Sequence, residues 1–246
     1  MLIEEIPVAL LVLVLLTAVL YSSVGHGGAS GYIAAMALFG LSPAIMKPAA
    51  LTMNVFVAGL VLVRLVRAGH FNWRLFLPFA LASTPLAYLG GAWTITDTSY
   101  RAVVGVALLV AALRFLVKIE YDGEVRSPAL WVSLPVGGLL GFVSGLTGVG
   151  GGIYLSPLLL LLRWTTMRTN AAIAAAFILV NSLAGLAGHA VTGATWPPGL
   201  TWYVGAAVAG AVIGSEFAVR RFSPMMLRKV LGVVLVIAGA KMLYTA

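Results

Sequence analysis

Ten apolar stretches make up most of the chain, and two of them, 29–41 and 151–163, are too short to cross a bilayer. A spanning helix needs about 20 residues at about 1.5 Å each. The stretches fall as five and five: 7–24, 29–41, 44–66, 74–94 and 99–118, then 131–147, 151–163, 169–192, 199–219 and 226–244. Each short stretch follows a glycine-rich break, so 7–41 and 131–163 read as hairpins that turn back inside the membrane. The expected fold class is all-α: a polytopic membrane protein of two repeats, each a broken re-entrant helix hairpin plus three transmembrane helices. Composition agrees, because 61% apolar residues against 9% charged leaves too little polar surface for a globule in water. The chain has no cysteine, which excludes disulfides, zinc-thiolate sites and thiol catalysis; no cofactor and no metal site is expected.

Charge placement tests the hairpins. If both turn back, Arg64, Arg67, Arg74, Arg114, Lys118, Arg126, Arg163, Arg168, Arg220, Arg221, Arg228 and Lys229 fall on one side, and Lys47, Arg101 and Lys241 on the other. If each pair were one long crossing, the split would be about eight against seven, which the positive-inside rule disfavours. The lopsided count places both termini in the periplasm. It divides the chain into an N-terminal repeat, 1–118, a cytoplasmic linker, 119–129, and a C-terminal repeat, 130–246. The basic residues behind the net charge of +8 mostly separate apolar runs, so they orient the chain in a lipid bilayer and do not suggest nucleic acid. Glu4 and Glu5 before the first run, and the length of that run, argue for a retained membrane segment over a cleaved signal. Trp73, Trp93, Trp131, Trp164, Trp196 and Trp202 lie near segment ends, as an interfacial belt requires; core packing is the other reading.

The halves also resemble each other. Gly25-His26-Gly27-Gly28 matches Gly148-Val149-Gly150-Gly151, Met46-Lys47 matches Met167-Arg168, and 100–106 matches 227–233. With an odd number of crossings and a hairpin in each, the second half would run inverted, an architecture of many secondary transporters. Glycine permits the backbone angles that interrupt a helix and leaves amides uncovered. Irregular backbone at membrane depth must face protein or a wet cavity. A short helix begins after each break, and two amino ends converging there would attract an anion without a buried lysine. The candidate binding residues are Ser22, Ser23, Gly25, His26, Gly27 and Gly28 in one break, and Ser144, Thr147, Gly148, Gly150, Gly151 and Gly152 in the other. Tight packing of small residues is the competing reading, above all for Gly137, Gly141 and Gly145 at four-residue spacing.

Those loops and the repeated segment plan resemble the sulfite exporter TauE/SafE family, also called the toluene sulfonate uptake permease family. Gly148-Val149-Gly150-Gly151-Gly152 followed by Met167-Arg168-Thr169-Asn170-Ala171 carries most of the resemblance. The first-half copy departs from it at His26 and Ala29. The resemblance implies a multi-pass carrier in a bacterial inner membrane that moves sulfite, a sulfonate or a related small anion, with export as the expected direction.

Other residues leave two readings open. Lys47 and Arg168 sit at equivalent helix starts, either as gates that draw an anion to each mouth or as charges snorkelling to headgroups. His26 either binds the anion and passes a proton or is satisfied by backbone. Glu216 either couples transport to a proton or sodium ion or pairs with Arg220 one turn on. Asn54 and Asn181 either bond other helices or contact substrate. Gly28-Ala29-Ser30-Gly31 has the form of a rhomboid protease motif, with Ser30 as nucleophile and His189 as base; it explains neither the second break nor the repeat, so the chain is not expected to be an enzyme. An anion channel is the remaining alternative.

Overall fold

The computed structural model describes residues 7–23, 25–116, 125–193, 196–218 and 224–246. Glu4 and Glu5, most of the linker, and Arg220 and Arg221 lie outside the described residues. Ten α-helices follow in order: α1 Val8–Ser23, α2 Ala29–Leu38, α3 Pro43–Arg67, α4 Trp73–Ala92, α5 Asp97–Leu116, α6 Leu130–Thr147, α7 Gly152–Leu161, α8 Met167–Val191, α9 Leu200–Ile213 and α10 Pro224–Tyr244. A π-helical turn, Gly214–Ala218, extends α9. Among the described residues four helices, α3, α4, α6 and α8, are long and apolar enough to cross a membrane. The chain is an all-helical membrane protein, and α2 and α7, at 10 residues each, are as short as expected. One arm of the second hairpin, α6, is nevertheless long enough for a full crossing.

Local chemistry sets the ends. Pro43 lies in the first turn of α3, where its missing N–H costs nothing, and Asn72 caps α4 by accepting the Leu75 amide at 3.2 Å. Helix α2 ends as Leu41 N–H donates to Met36 and Gly40 N–H to Ala37, and α7 ends the same way as Trp164 donates to Leu159 and Arg163 to Leu160. This double closure needs a left-handed residue. Gly40 supplies it at φ +76°, and Arg163 is forced into it at φ +56°. The two short helices thus share the bonding pattern of their C-terminal ends.

Packing pairs the halves in matching ways. Helix α4 packs on α6 as α9 packs on α1, and α3 packs on α8 and α5 on α10. Glycines allow backbone contact in the first kind of pair: Gly137, Gly141 and Gly145 lie against Phe79, Ser83 and Ala87, and Gly210 and Gly214 lie against Leu15 and Val19. Residue numbers rise together in both, so these helices run parallel. The stripe read as tight packing is that. In the other pairs they oppose: Leu51 lies near Gly185 and Asn54 near Ser182, and Arg101 bonds Thr245 while Gly105 faces Leu243. Helices α3 and α8 therefore run antiparallel, as do α5 and α10. Trp73, Trp93, Trp131, Trp196 and Trp202 are exposed near element ends, as a belt requires, while Trp164 stacks tilted on Phe79.

Candidate functional site

The second break is shaped by three left-handed glycines within four residues: Gly148 at φ +78°, Gly150 at +82° and Gly151 at +79°. A side chain in that region costs about 1–2 kcal/mol per residue, so this turn is open to glycine and little else. Gly148 ends α6 with its N–H on the Ser144 carbonyl, and Gly151 is the residue before α7. In the first break Gly25, at φ +77°, closes α1, with its N–H on Ser22 and that of His26 on Tyr21. Neither α2 nor α7 has a side-chain cap. Among the described residues no hydrogen bond takes up the amides of Gly27, Gly28, Ser30 or Gly31, or those from Val149 to Ile153.

The breaks converge on Asn54. A Cβ placed on Gly27 would lie 2.9 Å from Asn54 Oδ1, and one on Gly150 would lie 2.5 Å from Asn54 Nδ2; both would meet Ile178 at 3.1 Å. Asn54 is fully buried. Its Oδ1 accepts the Ala29 amide at 3.0 Å, and its Nδ2 donates to the Val149 carbonyl at 3.3 Å and to Ser182 Oγ at 3.4 Å. One carboxamide therefore joins the start of α2 to the second break. Of the two roles open to Asn54, helix-to-helix bonding is present, and it runs through both breaks. Asn181 differs: it is fully buried and neither of its polar side-chain atoms has a partner.

The hydroxyls are placed unevenly. Ser144 Oγ is buried without a partner, and its Cβ would lie 3.2 Å from a Cβ on Gly151. Thr147 donates to Val143 at 2.7 Å, Ser22 to Val19 at 3.3 Å and Ser23 to Leu20 at 2.7 Å, which leaves each oxygen able to accept but not to donate again. Ser22 also faces Gly214 of the π-helical turn. Tyr32, absent from the sequence reading, lays its ring over Gly28, and its buried hydroxyl has no partner. His26 is half-buried at the break.

The two supposed mouths are unlike. Arg168 is exposed at the start of α8, whereas Lys47 is buried, with its ammonium 4.4 Å from the centre of the Tyr100 ring. A Cβ on Gly148 would lie 3.0 Å from Lys47 Cα, so this lysine backs directly onto the second break. Tyr100 donates to the Thr147 carbonyl at 3.0 Å and completes that wall. Glu216 meets Arg64 of α3 at 2.8 Å, with Ser215 also on that guanidinium. The local partner expected for Glu216, Arg220, lies outside the described residues. Ser30 Oγ is engaged by the Tyr21 hydroxyl, and His189 lines a separate cavity with Lys47, so the serine and histidine of the protease reading do not form a dyad.

Among the cavities bounded by described residues, two lie at the ends of the long helices. One, of about 260 Å³, lies between the start of α3, the α4–α5 connection and the end of α8, and includes Lys47, Asp97 and His189. The other, of about 570 Å³, lies at the starts of α4, α6 and α8, and includes Arg74, Ser133 and Thr169. By the charge count they open toward opposite sides.

The profile of the sulfite exporter TauE/SafE family matches residues 10–242. The chain is 37% identical over 232 residues to a protein of Sinorhizobium fredii named "Probable membrane transporter protein y4hK", which covers 92% of this chain and 94% of that one. It is 23% identical over 256 residues to "Probable membrane transporter protein YjnA" of Bacillus subtilis, across 96% of this chain and 99% of the relative. No solved structure matches.

Proposed function

The chain belongs to the sulfite exporter TauE/SafE family and is a membrane transporter, not an enzyme, and from that premise we propose that it is a secondary carrier exporting a small oxyanion, sulfite or an organosulfonate, by alternating access. The observation that carries this is the meeting of two sets of unbonded amides, from breaks more than 100 residues apart in sequence, at one buried asparagine. Aligned N–H groups at helix starts stabilise negative charge without the desolvation cost of a permanent cation. Partnerless Ser144 Oγ, beside Gly151, supports a polar ligand there, because buried polar groups otherwise find partners. The proposed anion site comprises both breaks, with Ser22, Ser23, His26, Ser144 and Thr147 around them. His26 and Glu216 are the candidates for coupling to a proton or sodium ion, and Arg168 for the mouth opposite Lys47.

Antiparallel running of α3 against α8 and of α5 against α10 supports reading 1–118 and 130–246 as inverted repeats. Flux is the direct test: proteoliposomes given sulfite, sulfate, sulfoacetate and simple carboxylates should move the sulfur oxyanions at carrier speed. Movement of none of them would sink the proposal, and currents far above a carrier's turnover would replace it with a channel.

Placement in a bacterial inner membrane with both termini periplasmic is tested by labelling. Arg126→Cys in this cysteine-free chain should resist an impermeant thiol reagent in intact cells and react once the membrane is opened. Labelling of residue 126 from outside would reverse the orientation.

A further inference from the structure

Lys47 and His189 belong to different halves of the chain yet line one cavity of about 260 Å³. His189 is 7% exposed, and its Nε2 is buried with no hydrogen-bond partner. Its backbone carbonyl accepts from Thr192 N–H at 3.1 Å and Thr192 Oγ1 at 2.9 Å, bonds that leave Nε2 unused. Lys47 is 8% exposed, and its ammonium rests on the Tyr100 ring, a contact that uses one face of the group and leaves N–H bonds free. Asp97 reaches the same space from the exposed start of α5, and Trp93 and Thr94 complete the rim. At about 30 Å³ of liquid volume per water, the space suits a partly hydrated oxyanion.

We propose that Lys47 Nζ and His189 Nε2 form a recruitment subsite for a small oxyanion, separate from the paired breaks, with the Asp97 carboxylate as a tethered competitor that the incoming anion displaces. The subsite rests on the carrier reading above. The Lys47 ammonium supplies the charge. The imidazole Nε2, in the tautomer that bears hydrogen there, supplies a donor that no described residue uses. Lys47 Cα abuts Gly148, so the residue whose ammonium holds the anion borders the second break at its backbone. Asp97 prevents the subsite from holding the anion so tightly that it cannot pass inward.

The test uses Thr192→Cys in the full-length, cysteine-free chain, because Thr192 lines this cavity and is exposed. The probes are two methanethiosulfonates of similar size, one bearing a sulfonate and the other a trimethylammonium. A cleft of one charge sign raises the local concentration of opposite ions at least about tenfold, so the sulfonate reagent should be favoured over its ratio at a Tyr244→Cys control, by less than that factor while Asp97 opposes Lys47 and by about that factor once Asp97→Asn leaves Lys47 alone. Lys47→Met and His189→Ala should each erode the preference, Lys47→Arg should keep it, and Asp97→Asn should increase it. This last change, a gain, is not mimicked by misfolding. A preference unchanged by both Lys47→Met and His189→Ala overturns the subsite. If it is unchanged while liposomes move sulfite, the subsite fails and the carrier stands. If the preference responds as expected while no anion moves, the subsite stands and the carrier reading fails.

Discussion

Gly150→Leu is expected to reduce anion flux and binding by at least about a hundredfold, because it acts on the site in two ways. Its φ of +82° puts any side chain in the left-handed region, at about 1–2 kcal/mol. Its Cβ would stand 2.5 Å from Asn54 Nδ2 and 3.1 Å from Ser182 Oγ, so Asn54 must leave the position from which it spans the breaks. The amides would lose their aim together with the space in front of them. Gly59→Ala, on α3 with nothing within 4 Å, is the control and should transport normally. Lys47→Met should be milder, because it removes a charge beside the break and not the break itself. Equal affinity in Gly150→Leu and the native chain, with loss in Lys47→Met, would move the main site out to the cavity of Lys47 and His189.

Gly141→Leu should instead prevent stable folding. Helices α4 and α6 touch backbone to backbone along Gly137, Gly141 and Gly145, and a Cβ on Gly141 would run into the Ser83 carbonyl. Separating the helices would open the whole seam, whereas a flexible neighbour could only rotate away. Overpacking in a well-packed core usually costs about 1–3 kcal/mol, and a backbone obstacle puts this case at or above the upper end. Thermal unfolding of the purified protein should show a large fall in Tm, or no folded protein to measure. Gly205→Ala on α9, with open space around it, should leave Tm near the native value. A native-like Tm in Gly141→Leu would show that the seam is looser than the structure has it.

Much of the fold is legible in the residues because hydropathy and punctuation are local signals. The stretch 44–66 becomes α3 at Pro43–Arg67, and 151–163 becomes α7 at Gly152–Leu161 with its capping residues. Glycine at 148, 150 and 151 marks left-handed turns because few other residues accept them. What stays hidden is which distant groups meet. Lys47 looks interfacial from its place before Pro48, yet it is buried beside a glycine 101 positions away. Glu216 has a basic residue one turn on in the sequence, and nothing there announces the ion pair it makes among the described residues with Arg64, 152 positions earlier. His189 lies at the end of an apolar stretch and carries no pattern that announces a cavity. These are contacts between halves, and periodicity along a helix says which face is apolar, not what comes to cover it.

The matching of the halves fails at their centre. Between Gly27 and Gly150 lie one asparagine and, against the same two glycines, one isoleucine, Ile178. Asn54 offers Oδ1 to the first break and Nδ2 to the second, whereas Ile178 offers neither break a hydrogen bond. In a carrier that faces first one side and then the other by interchanging the roles of its halves, that interchange cannot rebuild the same bonds. The two facing states must then differ in energy, and a difference of about 1.4 kcal/mol, within reach of a single buried hydrogen bond, makes one about ten times more populated than the other. Such a bias leaves the final distribution of substrate to the gradients that drive it. It does fix which door stands open while the carrier waits, so half-saturation measured from the two sides of the membrane should be unequal even with no coupling ion present.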